Sequence, residues 1–94
     1  MSTPFEFTPE SIPALQRLFR LQWEESQQRY VLLYPEGMVQ LNQSAAEILK
    51  RCDGNTAISA IVADLETAFS QQGLANDVMK FMEAAHERGW IRTK

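Results

Sequence analysis

The sequence predicts an α+β domain: a three-stranded antiparallel meander followed by three helices, arranged in the manner of a winged helix-turn-helix. Three observations carry this expectation. From Arg17 to Trp23 the apolar residues alternate with a period of two, and Arg29 to Tyr34 is rich in β-branched and aromatic side chains, both signatures of strands. Tyr34-Pro35-Glu36-Gly37 interrupts that stretch with the residues of a hairpin turn. From Ser44 onward the apolar spacing lengthens to that of amphipathic helices.

The segment 1–13 comes first and carries three of the chain's four prolines without any clear period. It reads as an extended or mobile arm, with Phe5 and Phe7 laid on the core, and it leaves 14–94 as the single domain. Arg17 to Trp23 alternates well, with Phe19, Leu21 and Trp23 on one face and Leu18, Arg20 and Gln22 on a wet one. Glu24 to Gln28 is polar and forms the loop into the next strand. Arg29 to Tyr34 is rich in β-branched and aromatic side chains and is the second strand. Pro35 fits the second position of a type I turn, and Gly37 is expected to adopt a left-handed conformation that returns the chain through a bulge. Met38 to Leu41 is the returning strand. Val31 and Leu33 fall on one face, and Tyr30, Leu32 and Tyr34 on the other. Both faces are apolar, so each is expected to need a cover.

Three helical stripes follow. Ala45, Ile48, Leu49 and Cys52 recur at helical spacing after the capping box Ser44-Ala-Ala-Glu47, with Asn42 as a rival cap and Asp53-Gly54 as the stop. Ile58, Ile61, Val62, Leu65 and Phe69 form the second stripe, capped by Asn55 or Thr56 and broken at Gln71-Gln-Gly73. Val78, Phe81, Met82 and Ala85 form the third, with Asn76 as cap, Asp77 near the positive helix end and Gly89 as stop. Trp90-Ile91 is an apolar tail that should fold back on the body.

Composition narrows the function classes. An apolar fraction of 45% and a charged fraction of 22% over 94 residues describe one ordinary globular domain with a modest core. The net charge is −3 and the nine basic residues are scattered, which argues against a phosphate-binding surface and so against nucleic acid. No apolar run is long enough to span a bilayer, the N-terminus lacks a signal-peptide pattern, and a single cysteine forms no internal disulfide. A reduced, cytoplasmic protein with no membrane partner is the expectation.

Candidate chemistry is sparse. Cys52 and His86 are two isolated residues where a metal site needs several ligands, and Cys52 reads as a small core residue. Glu24-Glu25 reads as solvated charge rather than a catalytic pair. There is no phosphate-binding glycine loop and no nucleophile with a base. The expectation is a protein that is not an enzyme and carries no metal or cofactor. The alternative reading is a winged-helix DNA-binding regulator. The polar side of the third helix speaks against it, because Asp77, Lys80, Glu83, Glu87 and Arg88 are nearly balanced in charge.

In order along the chain, Arg20-Leu-Gln-Trp23, Leu33-Tyr-Pro-Glu-Gly37, Leu41-Asn42, Ala46-Glu-Ile-Leu49, Asp53-Gly54, Asp77-Val78, Phe81 and Gly89-Trp90-Ile91 resemble the pattern of the PqqD family. The likeness covers about Leu15 to Arg92. It implies a non-catalytic peptide chaperone of pyrroloquinoline quinone (PQQ) biosynthesis. Such a protein binds the precursor peptide PqqA and presents it to PqqE, a radical S-adenosylmethionine enzyme. It also implies that the peptide enters as an added strand between the third strand and the third helix. An open strand edge suits that role, since it is a row of unpaired N–H and C=O groups. Met38, Val39, Gln40 and Leu41 would offer the edge, and Val78, Phe81, Met82 and Ala85 would line the groove. The same stripe is equally the pattern of plain helical core. Such a protein is expected to be a monomer or a weak homodimer, with strand exchange between copies as the route to pairing.

Overall fold

The computed structural model describes residues 6–93. Along the chain run β1 (Pro13–Leu15), β2 (Arg20–Glu24), β3 (Arg29–Tyr34), β4 (Gly37–Gln40), α1 (Gln43–Lys50), α2 (Ile58–Ala68), α3 (Ala75–Glu87) and β5 (Ile91–Thr93). The meander is present as β2-β3-β4, antiparallel throughout, and the three helices follow it. Its first strand is shorter than the alternation suggests. Arg17 and Leu18 form a turn, Leu18 is exposed, and Phe19 stacks on Tyr34 with ring centroids 5.3 Å apart.

The register sorts the side chains. Leu21, Leu32 and Val39 lie opposite one another, and Leu32 belongs to the core that the helices complete. Gln22, Val31 and Gln40 lie opposite one another on the other face. That second face is mixed in character rather than apolar throughout. Val31 is fully buried, but its cross-strand neighbours are glutamines, with Arg20, Glu24 and Arg29 further along the same face. Gln40 there accepts from Arg29 Nη1 at 3.3 Å and donates to Gln27 Oε1 at 2.8 Å. The turn also differs. Gly37 has a positive φ of 158°, in the range that side-chain-bearing residues rarely adopt, but it pairs directly with Tyr34, so no bulge is formed.

A second, two-stranded ribbon joins the two ends of the domain. β1 pairs antiparallel with β5, matching Pro13 with Thr93, Ala14 with Arg92 and Leu15 with Ile91. Trp90-Ile91 thereby returns to the body, and Ile91 is fully buried. Ahead of β1, Phe7 is buried and meets the His86 ring edge-on at 5.6 Å. Phe5 lies outside the described residues.

Tertiary contacts also decide the helix starts. Asn42, rather than Ser44, caps α1, its side chain accepting from Ala45 N at 2.7 Å. Neither Asn55 nor Thr56 caps α2, because both are drawn to Asp53 by hydrogen bonds of 2.8 and 3.2 Å. The carbonyls of Ser11 and Pro9 accept instead from Ile58 N and Ser59 N, each at 2.9 Å, so the segment ahead of β1 satisfies donors that a helix start leaves open. α3 begins after Leu74, whose N–H donates to Glu66 Oε2 at 3.0 Å, and not at Asn76. The core gathers Leu32, Leu41, Leu49, Ile58, Ile61, Leu65, Met82 and Ile91. Phe69, the last residue of the second stripe, is exposed.

Candidate functional site

The hydrogen bond from Leu41 N to Tyr30 O, 3.1 Å, sets the phase of the β3–β4 ladder. Opposed residues of an antiparallel pair alternate between those that exchange backbone bonds and those that do not. Tyr30/Leu41, Leu32/Val39 and Tyr34/Gly37 are therefore the bonded pairs. Met38 and Gln40, opposite Leu33 and Val31, turn their N–H and C=O groups away from β3. No strand of the sheet lies beyond β4 among the described residues, so those groups form an open edge.

A groove of about 280 Å³ runs beside that edge, between β4 and α3. Val39, Gln40 and Leu41 form one wall, Phe81, Ala84, Ala85 and Arg88 the other, and Trp90 closes it. The residues expected from the sequence divide here. Met38 is half exposed and Gln40 exposed on the edge, while Val39 is half-buried toward the helices and Leu41 is buried. Phe81 is a half-buried wall residue and Ala85 lies buried at the groove floor. Val78 and Met82 belong to the core instead, at 2% and 0% exposure, and the Met82 sulfur lies 3.9 Å from Cys52 Sγ. Ala84, Arg88 and Trp90 were not expected. The signal was present for two of them: Ala84 and Arg88 follow Phe81 at helical spacing and so share its face. The Arg88 guanidinium lies over the Trp90 ring, 5.4 Å from its centroid.

A second cleft lies between α1 and the Trp23–Tyr30 end of the sheet, lined by Trp23, Tyr30, Leu41, Glu47 and Lys50 among others. It is more polar in character. Lys50 Nζ sits 4.9 Å from the centre of the Tyr30 ring and 3.2 Å from Glu47 Oε2.

Burial, with the nearby Asp53 charge second, pushes the Cys52 thiol up to about 12, so it is not a thiolate nucleophile. No group of three His, Cys, Asp or Glu among the described residues is placed to hold a metal ion. No described helix is long and apolar enough to cross a membrane. What the β4 edge offers is a pair of backbone donors and acceptors beside an apolar wall, an arrangement that binds extended chains.

The chain is similar to known proteins over most of its length. Residues 29–91 match the family described as coenzyme PQQ synthesis protein D (PqqD). A protein of Azotobacter vinelandii named PqqA binding protein is 54% identical over 87 residues, covering 92% of this chain and 95% of that one. One of the same name from Methylococcus capsulatus is 49% identical over 84 residues, covering 89% and 90%. The solution structure of the PqqD truncation of Methylobacterium extorquens PqqCD superposes with a TM-score of 0.77 at 25% identity, covering 92% of this chain and 94% of that one. That protein is described as a functional, stand-alone recognition element for ribosomally synthesised, post-translationally modified peptides.

Proposed function

We propose that this chain, which belongs to the PqqD family, binds the precursor peptide PqqA as a fourth strand on β4 and presents it to the radical S-adenosylmethionine enzyme PqqE. It is itself no catalyst, and it works in the cytoplasm. The observation that carries this reading is the open edge at Met38 and Gln40 with a groove beside it.

The energetics require both parts. Ordering a flexible peptide costs roughly 1–2 kcal/mol of backbone entropy per residue. A net gain of about 0.5–1.5 kcal/mol per edge hydrogen bond does not offset that. Apolar side chains of the peptide must add burial, worth about 25 cal/mol per Å². Side chains alternate across a strand, so every second peptide residue would face α3 and every other one solvent. The protein acts as a monomer or a weak homodimer, and a second copy using the same edge would compete with the peptide.

Titration of 15N-labelled protein with PqqA tests this. Amide shifts should cluster in Met38–Leu41 and along the groove face of α3 from Phe81 to Trp90. Shifts confined to Leu21–Trp23, with β4 untouched, would place the peptide on the wrong edge and overturn the reading.

A further inference from the structure

The geometry points to a carboxylate subsite at the end of the groove: Arg88 takes an Asp or Glu side chain of the bound strand, while Phe81 and Trp90 hold an apolar side chain on the same face of that strand. This deepens the proposed function and rests on its reading of β4 as the docking edge.

Three observations combine. Arg88 is the one charged residue lining the groove, and the neighbouring acids of α3, Glu83 and Glu87, lie outside the lining. Arg88 makes no ion pair with any carboxylate among the described residues, whereas Lys50 and Arg51 are both paired. Its guanidinium is already held over the Trp90 ring, which limits its rotamers and leaves N–H groups of its planar fork for a bidentate acceptor. Arg17, Arg20, Arg29, Lys80 and Arg92 also lack an ion pair among the described residues, but only Arg88 lines the groove beside β4, where it is the positive charge a carboxylate would meet.

Strand geometry adds a condition on the ligand. Side chains on one face of a strand recur every second residue, about 6.8 Å apart. From Phe81 to Arg88 the helix advances by two turns, about 10.5 Å. The acid and its apolar companion must therefore be separated by an even number of positions, two or four, with the long arginine side chain taking up the difference.

The probe is fluorescently labelled PqqA, with its affinity measured by anisotropy. Arg88→Glu should weaken binding by about tenfold or more, because it replaces attraction by repulsion in a partly desolvated groove. Arg88→Lys should fall in between, and the thermal unfolding of both variants should match the parent. Among peptides carrying Lys in place of single acids, one should regain affinity for the Arg88→Glu protein. Its substituted position should stand an even number of residues from an apolar side chain whose alanine variant also binds weakly. If Arg88→Glu binds PqqA like the parent while Gln40→Pro does not, the subsite is wrong and the edge reading stands. If both bind like the parent, the edge reading fails as well. Rescue only at odd spacing would overturn the shared-face geometry.

Discussion

β2 and β4 flank the same central strand, and each leaves a row of backbone groups unpaired, but the helix walls beside them differ: α1 stands near one and α3 near the other. On β4 the outward residues are Met38 and Gln40, with Phe81, Ala84 and Arg88 of α3 beside them. On β2 the same alternation turns Leu21 and Trp23 outward. The flanking cleft there is furnished with Glu47 and Lys50, already paired to each other, and the Trp23 indole N–H is held by Glu25 Oε2 at 2.6 Å. A free edge alone is a template for any extended chain. It becomes selective when a neighbouring wall reads every second side chain.

The largest expected effect removes the basis of the comparison, since both edges depend on β3. Leu32 is fully buried at the centre of that strand, and Leu32→Ala should lose about 2–5 kcal/mol of stability in urea unfolding. A loss below about 1 kcal/mol would mean that the sheet and helices do not share this core.

The next separates the edges directly. The Gln40 N–H is not used by the β3 ladder, so Gln40→Pro deletes an edge donor and spares the internal pairing, whereas Val39→Pro would break a bonded pair. Gln40→Pro should weaken PqqA binding by about tenfold, and Gln40→Ala, which keeps the N–H, by about threefold at most. Equal effects would assign the loss to the glutamine side chain and its contacts with Arg29 and Gln27.

Trp23→Ala probes the other edge. The residue is 44% exposed, and its truncation should leave PqqA affinity within about twofold of the parent, measured by the same anisotropy titration. A tenfold loss would make β2 part of the site.

The smallest effect is on acid stability, beside the β2 cleft and along the following loop. A hydrogen bond from Arg51, helped by Lys50, outweighs burial and lowers the Glu47 carboxyl pKa. The Asn55 backbone N–H, with Thr56 behind it, lowers that of Asp53. Both folded values lie below the unfolded ones. Their stabilisation is therefore complete above about pH 4.5 and is lost as pH falls through the lowered values. Urea midpoints should be level from about pH 7 to 5 and decline below about pH 4, with Glu47→Gln removing part of the decline. Because Asp53 is exposed and Glu47 is only partly buried, the change should be small. Peptide affinity across the level range should not follow Glu47.

The order of elements was legible because each is long enough to show its period. Phe19 to Trp23 alternates through five residues, and the helical stripes recur over two turns or more. β1 and β5 were not, since Pro-Ala-Leu and Ile-Arg-Thr are too short to display one and exist by pairing with each other. Caps failed where the partner came from elsewhere in the chain, as with the Ser11 and Pro9 carbonyls at α2. The candidate edge was legible, because Met38 to Leu41 precedes a helix and has no later strand in the meander. The groove wall was only half so. α3 is packed on adjacent faces, and a stripe cannot tell Val78 and Met82, which seal the core, from Phe81 and Arg88, which meet the groove.

The ribbon of β1 and β5 has a topological consequence. Pro13 and Thr93 are cross-strand partners, so these two backbone positions lie about 5 Å apart. A linker from 93 back to the segment ahead of β1, long enough to keep Phe7 in the core and the Pro9 and Ser11 carbonyls on α2, would close the backbone into a ring, and the exposed segment Gln71–Gly73 is a place to reopen it. Such a circular permutant keeps every strand pairing described above, and with them the β4 edge.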